Sequence, residues 1–477
     1  MPGRLKLAMP GRPGAALLVS ATAFALAVLS TNIVNLALPR IQSDFGGGIA
    51  GIQWVSNAYT LTLATLLLSM GVLCDRIGAR RVMILGLSLF ACGGFVAMVS
   101  PSIEILILAQ TIKGAGGAAM VPASLALLSH AYNSHSKQAH AVAFVSGASA
   151  VATAAGPVLA GFMIDTASWR SIFAIDVIGA LLVLWPTVKN LSETARGAKR
   201  QLDFPGQITA IVALAALTFA IISTGARGLG APATLVSFAV ALSAGAIFAL
   251  VERRSVDPML PPALFRLRAF DVASACGVLV NFAFYGELFI LSLYLQDVRG
   301  LSPLEAGWVF LPLPLAAAFS AIPAGRMTAR RGARLPSALG CAVGAVGVLI
   351  LATTVSASSP YWIFIAGLIL MGLGPGLAVP ALTAALVSGV PRANAGIAAA
   401  AFTGSRQVGG LLGVAVFGAL VGAGNFVPQM RVTLFLAAGA MLAAALVGGI
   451  FVRRGVGVST AESTVADMAA AVPASDS

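Results

Sequence analysis

Fourteen apolar stretches recur along the 477 residues of this chain, each about 20 residues long and so able to cross about 30 Å of hydrocarbon as a helix. They lie within 14–38, 53–72, 82–100, 104–128, 140–164, 169–188, 206–225, 232–251, 271–295, 304–325, 336–356, 360–387, 394–421 and 431–452. A soluble core cannot absorb that much apolar length. Hydrophobic residues make up 58% of the chain and charged residues 9%, against about 25% charged in soluble domains. In lipid the backbone must satisfy its own polar groups, and segments of this length do so as helices. The expectation is an all-α polytopic membrane protein with fourteen transmembrane helices.

The basic residues set its orientation. Of the 29 Lys and Arg, 22 fall at the amino terminus, after the last stretch, or in loops on that same side, such as Arg76, Arg80 and Arg81 after the second stretch. The other side holds only Arg40, Arg170, Arg227, Arg299 and Arg431. That asymmetry places both termini in the cytoplasm. The net charge of +13 is thus a topology signal; no basic patch interleaved with aromatics points to nucleic acid. The first stretch is too long for a secretory signal and meets Ser30-Thr31-Asn32 before Pro39, which reads as an uncleaved helix. Cys74, Cys92, Cys276 and Cys341 lie in or beside spans and form no disulfide framework.

The chain repeats itself. Gly71-x3-Asp75-Arg76-x-Gly78-Ala79-Arg80 returns as Gly325-x3-Ala329-Arg330-x-Gly332-Ala333-Arg334, an offset of 254. Val121-Pro122-Ala123 returns as Val379-Pro380-Ala381, an offset of 258, and Gly147 and Gly156 return as Gly404 and Gly413, an offset of 257. Three near-equal offsets divide the chain into parallel halves, the architecture of alternating access around a midplane site. The expected organisation is a cytoplasmic arm at 1–13, a six-helix half at 14–188, and a cytoplasmic loop at 189–205. Two linker helices at 206–251, a loop at 252–270, a second six-helix half at 271–452 and a disordered cytoplasmic tail at 453–477 complete it.

These motifs carry a family resemblance. The Gly71–Arg81 loop resembles the G-x-L-x-D-R-x-G-R-R signature of the major facilitator superfamily. Leu29-Ser30-Thr31-Asn32-Ile33-Val34-Asn35-Leu36-Ala37-Leu38-Pro39, Gln53-Trp54-Val55 with Tyr59, and the glycine run Gly114–Ala119 resemble its fourteen-span drug:proton antiporter family. So do Gly156-Pro157-Val158-Leu159-Ala160-Gly161, Trp169–Phe173, Asp257-Pro258-Met259-Leu260 and Ser405-Arg406-Gln407-Val408-Gly409-Gly410. The likeness covers residues 15–452 and extends to the methylenomycin-resistance type of exporter within that family. It implies a bacterial inner-membrane monomer that exports small organic compounds, drugs or metabolites, in exchange for protons. It also implies that Gly71, Asp75, Arg76, Gly78 and Arg80 form a conformational gate, with Gly156 and Pro157 sealing the outward path.

Two positions depart from the family. Its first-span acid is Ser30 here and its fourth-span arginine is Gln110. A lone buried charge costs several kcal/mol, so the expectation is that an ion pair has been replaced as a unit by a neutral Ser30/Gln110 pair. Proton coupling would then pass to the remaining intramembrane ionisable groups, Glu287, Lys113, Arg406 and Asp176. Glu287 is expected to carry the proton with Lys113 or Arg406 acting on it across the cavity; Asp176 is expected to pack peripherally. Ser30, Asn32, Asn35, Asn57, Gln110, Asn281, Tyr285 and Gln407 are the polar residues expected to face substrate, while Phe282 and Phe284 are expected to pack or face lipid.

Other classes fit less well. An uncoupled facilitator of the same fold accommodates the two lost charges. An enzyme would need a motif such as H-E-x-x-H, G-x-S-x-G or a P-loop, and none occurs. His130, His135 and His140 stand five residues apart and do not share a helix face, so no metal and no cofactor are expected. A sensor lacks an output domain.

Overall fold

The computed structural model describes residues 13–46, 48–132, 134–194, 201–356, 359–391, 394–422 and 425–452. The arm before residue 13, residues 195–200 of the 189–205 loop, Arg392 and the tail at 453–477 lie outside the described residues. Among the described residues, fourteen helices are long and apolar enough to span a membrane. The first half comprises α1 (Pro13–Phe45), α2 (Ile49–Ile77), α3 (Ala79–Met98), α4 (Ile103–Ala131), α5 (His135–Thr166) and α6 (Ile172–Asn190). Then come α7 (Phe204–Arg227) and α8 (Pro232–Arg254). The second half comprises α9 (Arg268–Leu293), α10 (Pro303–Arg331), α11 (Arg334–Thr354), α12 (Tyr361–Gly389), α13 (Ala395–Gly422) and α14 (Phe426–Phe451).

Helix starts follow the local chemistry. Ser302 and Glu305 form a reciprocal capping box at the start of α10, with Pro303 at its first position, and Asp203 accepts from Gly206 N at 2.8 Å to cap α7. Two elements differ from a plain span. α10 is interrupted at Leu311, just ahead of Pro312 and Pro314, and α9 ends in a π turn at Tyr294–Val298. Helices also overrun the expected boundaries, α1 to Phe45 rather than Leu38. Arg40, Gln42, Ser43 and Asp44 extend it past the hydrocarbon, where hydropathy no longer marks a helix.

The two halves are built alike. In the first, α1 packs on α4, α5 and α6, α2 on α4, and α3 on α4 and α6; in the second, α9 packs on α12, α13 and α14, α10 on α12, and α11 on α12 and α14. Glycines fix the correspondence. A methyl on Gly86 would lie 2.9 Å from Gly116 O, and one on Gly340 would lie 2.6 Å from Gly374 O. One on Gly93 would lie 2.8 Å from Lys113 N, and one on Gly347 would lie 2.6 Å from Met371 N. Close backbone approach of this kind is how membrane helices gain packing without a hydrophobic driving force. These pairs reproduce the 254 and 258 offsets read from the sequence, and they put Met371 where Lys113 stands in the first half.

The halves meet along two seams, α2 against α13 and α5 against α10, with α1 touching α9 between them. α7 packs on α2 and α13, and α8 packs on α7. The linker pair therefore flanks one seam and leaves the other uncovered.

Candidate functional site

In the first half the polar core is a closed cluster. Lys113 Nζ of α4 lies 2.6 Å from Asp176 Oδ2 of α6, and both side chains are fully buried. Ser30 Oγ of α1 donates to the same carboxylate oxygen at 3.2 Å. Around Lys113 stand the rings of Phe173, Phe90 and Tyr59, at 4.7, 5.6 and 5.9 Å from Nζ. Gln110 does not join in; its amide donates to Val55 O of α2 at 3.2 Å.

This corrects three expectations. Ser30 and Gln110 are not partners, because each satisfies a different buried group. Asp176 is not peripheral, because it neutralises Lys113 in the interior of the half. Lys113 does not act on Glu287, because its charge is already matched within its own half. Relative to the family pattern the ion pair has moved rather than vanished, its acid supplied by α6 and its cation one helical turn along α4.

The second half is arranged differently. Glu287 of α9 is fully buried, and neither carboxylate oxygen has a hydrogen-bond partner among the described residues. Seam geometry identifies its counterpart. Ser292 Oγ of α9 donates to Asn35 O of α1 at 2.7 Å, so residues 257 apart meet between the halves, and the same offset pairs Glu287 with Ser30. Arg406 of α13 lies elsewhere on α9: its Nε donates to Asn281 Oδ1 at 3.3 Å and its guanidinium sits 5.9 Å from the Phe402 ring. No ion pair joins Arg406 to Glu287 among the described residues, against the expectation that one would act on the other.

Among the described residues, the side-chain hydrogen bonds that join the halves gather at one end. Gln53 Nε2 of α2 donates to Val414 O and Ala415 O of α13 at 3.0 and 2.7 Å. Gln296 Nε2 donates to Leu36 O at 2.9 Å, and Leu304 N donates to Asp165 Oδ2 at 3.0 Å. With Ser292 these are the side-chain hydrogen bonds between halves among the described residues, and all lie at the end away from the Arg76–Arg81 loop. Gly161 and Gly307 pack there against Pro303 and Pro157 across the other seam. At the arginine-bearing end a methyl on Gly71, Gly147, Gly325 or Gly396 would meet nothing within 4 Å.

Just inside the closure lies a cleft lined by Asn32, Asn35, Thr153 and Pro157 of one half and by Phe284, Leu288, Ser292, Phe310, Leu313 and Pro314 of the other. Of the expected substrate residues, Asn32 and Asn35 line it. Ser30 and Gln110 are withdrawn into helix packing, and Asn57 is buried with both amide atoms unpartnered. Phe284 joins the lining, whereas Phe282 stacks edge-on against Phe417 at 5.1 Å. Tyr285 and Gln407 are half-buried. The sequence reading missed Gln53, Ser292 and Gln296 as locks; their acceptors are backbone carbonyls, which leave no mark in a sequence.

The Gly71–Arg81 loop is anchored by a residue that no motif announced. Gly78 has φ +98°, closing α2 and opening α3, and an added Cβ would collide with Glu193. Glu193 Oε1 accepts from Arg80 N at 3.0 Å at the start of α3, and Arg81 Nε lies 3.5 Å from Oε2. A carboxylate there meets unpaired helix N–H groups and the positive end of the dipole. The Arg80 guanidinium donates to Thr187 O and Val188 O at 3.2 and 2.6 Å, tying the loop to the end of α6. Asp75 and Arg76 are exposed beside it.

Two parallel six-helix halves, joined at one end beside a largely apolar cleft with a few polar groups, define a membrane transporter. The chain belongs to the Major Facilitator Superfamily, whose family model matches residues 20–414 and again 273–471. It is 33% identical over 431 residues to the methylenomycin A resistance protein of Streptomyces coelicolor, covering 90% of each chain. It is 35% identical over 395 residues to the multidrug resistance protein Stp of Mycobacterium tuberculosis, covering 83% of this chain and 73% of that one. A crystal structure of the peptide transporter POT in complex with sulfate shares the fold at a TM-score of 0.69 and 16% identity, over 92% of this chain and 96% of that one.

Proposed function

We propose that this protein is a proton-coupled exporter of small organic compounds, antibiotics and drugs among them, acting as a monomer in a bacterial cytoplasmic membrane with both termini inside. The one-ended closure carries the reading. Hydrogen bonds seal the outer end while the arginine-bearing inner end has open space beside four glycines. Rocking the halves about their shared cleft would exchange the two ends, as alternating access requires. Gly71, Asp75, Arg76, Gly78 and Arg80 act as the inner gate, and Gly156 and Pro157 belong to the outer seal.

Glu287 is the coupling acid in this reading. A carboxylate buried without counter-charge is the arrangement that takes up a proton in one conformation and gives it up when the helices part. Lys113 and Asp176 neutralise each other and move together.

The test is transport in proteoliposomes with an imposed pH gradient, using a panel of antibiotics and dyes. Gradient-driven accumulation that collapses with an ionophore and is lost in Glu287→Gln supports the reading. Accumulation that follows only the substrate gradient, equal in both proteins, makes the chain a facilitator.

A further inference from the structure

Of Lys113, Asp176, Glu287 and Arg406, only Arg406 is not fully buried. Lys113 and Asp176 are sealed together, and Glu287 is fully buried. Arg406 is half-buried, near the middle of α13, and only its Nε is engaged, with Asn281 Oδ1. Its two terminal guanidinium nitrogens have no hydrogen-bond or carboxylate partner among the described residues.

The groups around it are donors. The Nε of an arginine can only donate, so the Asn281 amide is oriented with its oxygen toward Arg406 and its Nδ2 free. That nitrogen is unpartnered in a side chain only 3% exposed. One turn along α9 stands Tyr285, half-buried, whose hydroxyl makes no hydrogen bond among the described residues. Gly277 and Gly410 make the room: a methyl on Gly277 would lie 2.8 Å from Arg406 Cγ, and one on Gly410 would lie 2.8 Å from Tyr285 Cδ2. Guanidinium, amide and phenol therefore present donors, the one acceptor of Asn281 already used, beside the Phe402 ring.

We infer that Arg406, Asn281 and Tyr285 form an anion-recognition site, and that the exported compounds carry a carboxylate or comparable planar anionic group on an apolar body. This rests on the export reading above. A planar carboxylate fits the guanidinium fork with two charge-assisted hydrogen bonds, and the low dielectric between packed helices strengthens them. The same charge repels a cationic drug, so it selects against the opposite class. Arg406→Lys keeps the charge but loses the fork.

The experiment measures equilibrium binding to the full-length purified protein in nanodiscs, using matched aromatic and β-lactam carboxylic acids, their uncharged methyl esters, and ethidium as the cation. The expected result is that acids bind at least tenfold more tightly than their esters, that Arg406→Gln abolishes this preference, and that Arg406→Lys restores it in part. Asn281→Ala and Tyr285→Phe should each narrow the ratio. Equal affinity for acid and ester, preference for ethidium, an unchanged ratio in Arg406→Gln, or no acid bound at all overturns the proposal. Glu287→Gln separates the two readings: it should keep the acid preference while losing proton coupling. Loss of coupling alone therefore bears on the export mechanism, and loss of acid preference alone bears on this site.

Discussion

The two halves share a helix plan and differ in how they treat charge. In the first, Lys113, Asp176 and Ser30 close a neutral cluster inside the α1–α4–α6 packing. In the second, Met371 stands where Lys113 would be, and Glu287 stands where Ser30 would be, with no hydrogen-bond or ion-pair partner among the described residues. α14 carries a single charged residue, Arg431, which donates to Val355 O at 3.0 and 2.7 Å at the end away from the Arg76–Arg81 loop. A paired charge is a structural fastening, whereas an unpaired one responds to protons or ligand. On the proposed reading the first half holds its charges as a frame, while the second carries the proton and the ligand-facing charge, and both line the cleft.

The sharpest way to break that comparison is to unpair the first half. Lys113→Met or Asp176→Leu alone should destabilise the protein by about 3–5 kcal/mol, since each leaves a buried charge uncompensated. The double variant, which copies the apolar chemistry of the second half, should recover most of that loss in a thermal melt. If the single variants melt like the wild type, the pair is no fastening.

A second test uses the seams. Gly161→Val or Gly307→Val pushes side-chain atoms into the backbone across the α5–α10 seam, so about 1–3 kcal/mol of overpacking strain should fall on the sealed end. Cysteines placed in the cleft should then become reactive to an impermeant thiol reagent from outside. Gly147→Trp or Gly325→Trp, at the open end, should instead fit this conformation and block its closure. Those variants should bind substrate and fail to transport it.

Gln53→Ala is a gentler perturbation. It removes two hydrogen bonds between the halves, each worth about 0.5–1.5 kcal/mol net. Outside accessibility of the cleft should rise several-fold with little change in melting temperature. Smaller still is Arg81→Ala. It breaks a solvent-exposed pair with Glu193, and its effect should stay within about 0.2–1 kcal/mol.

Much of the architecture was legible in the sequence. Hydropathy gave the spans because lipid-facing helices must be apolar along their whole length, and the glycine repeats gave the halves because close helix packing leaves small residues at fixed intervals. Asn32, Asn35, Pro157 and Glu287 stood out as polar, proline or acidic residues inside such spans. The pairing of charges did not. Lys113 and Asp176 sit on helices separated by a third, and only packing brings them within 2.6 Å. Glu193 was equally silent, since its role depends on the end of α6 folding back over the start of α3.

The most direct test of the account is substrate-evoked proton flux in proteoliposomes, measured with a pH-sensitive dye, for Glu287→Gln beside the Lys113→Met/Asp176→Leu double variant. Flux should vanish in the first and persist in the second. Flux that survives in Glu287→Gln and vanishes in the double variant would contradict it, placing the coupling site in the first half.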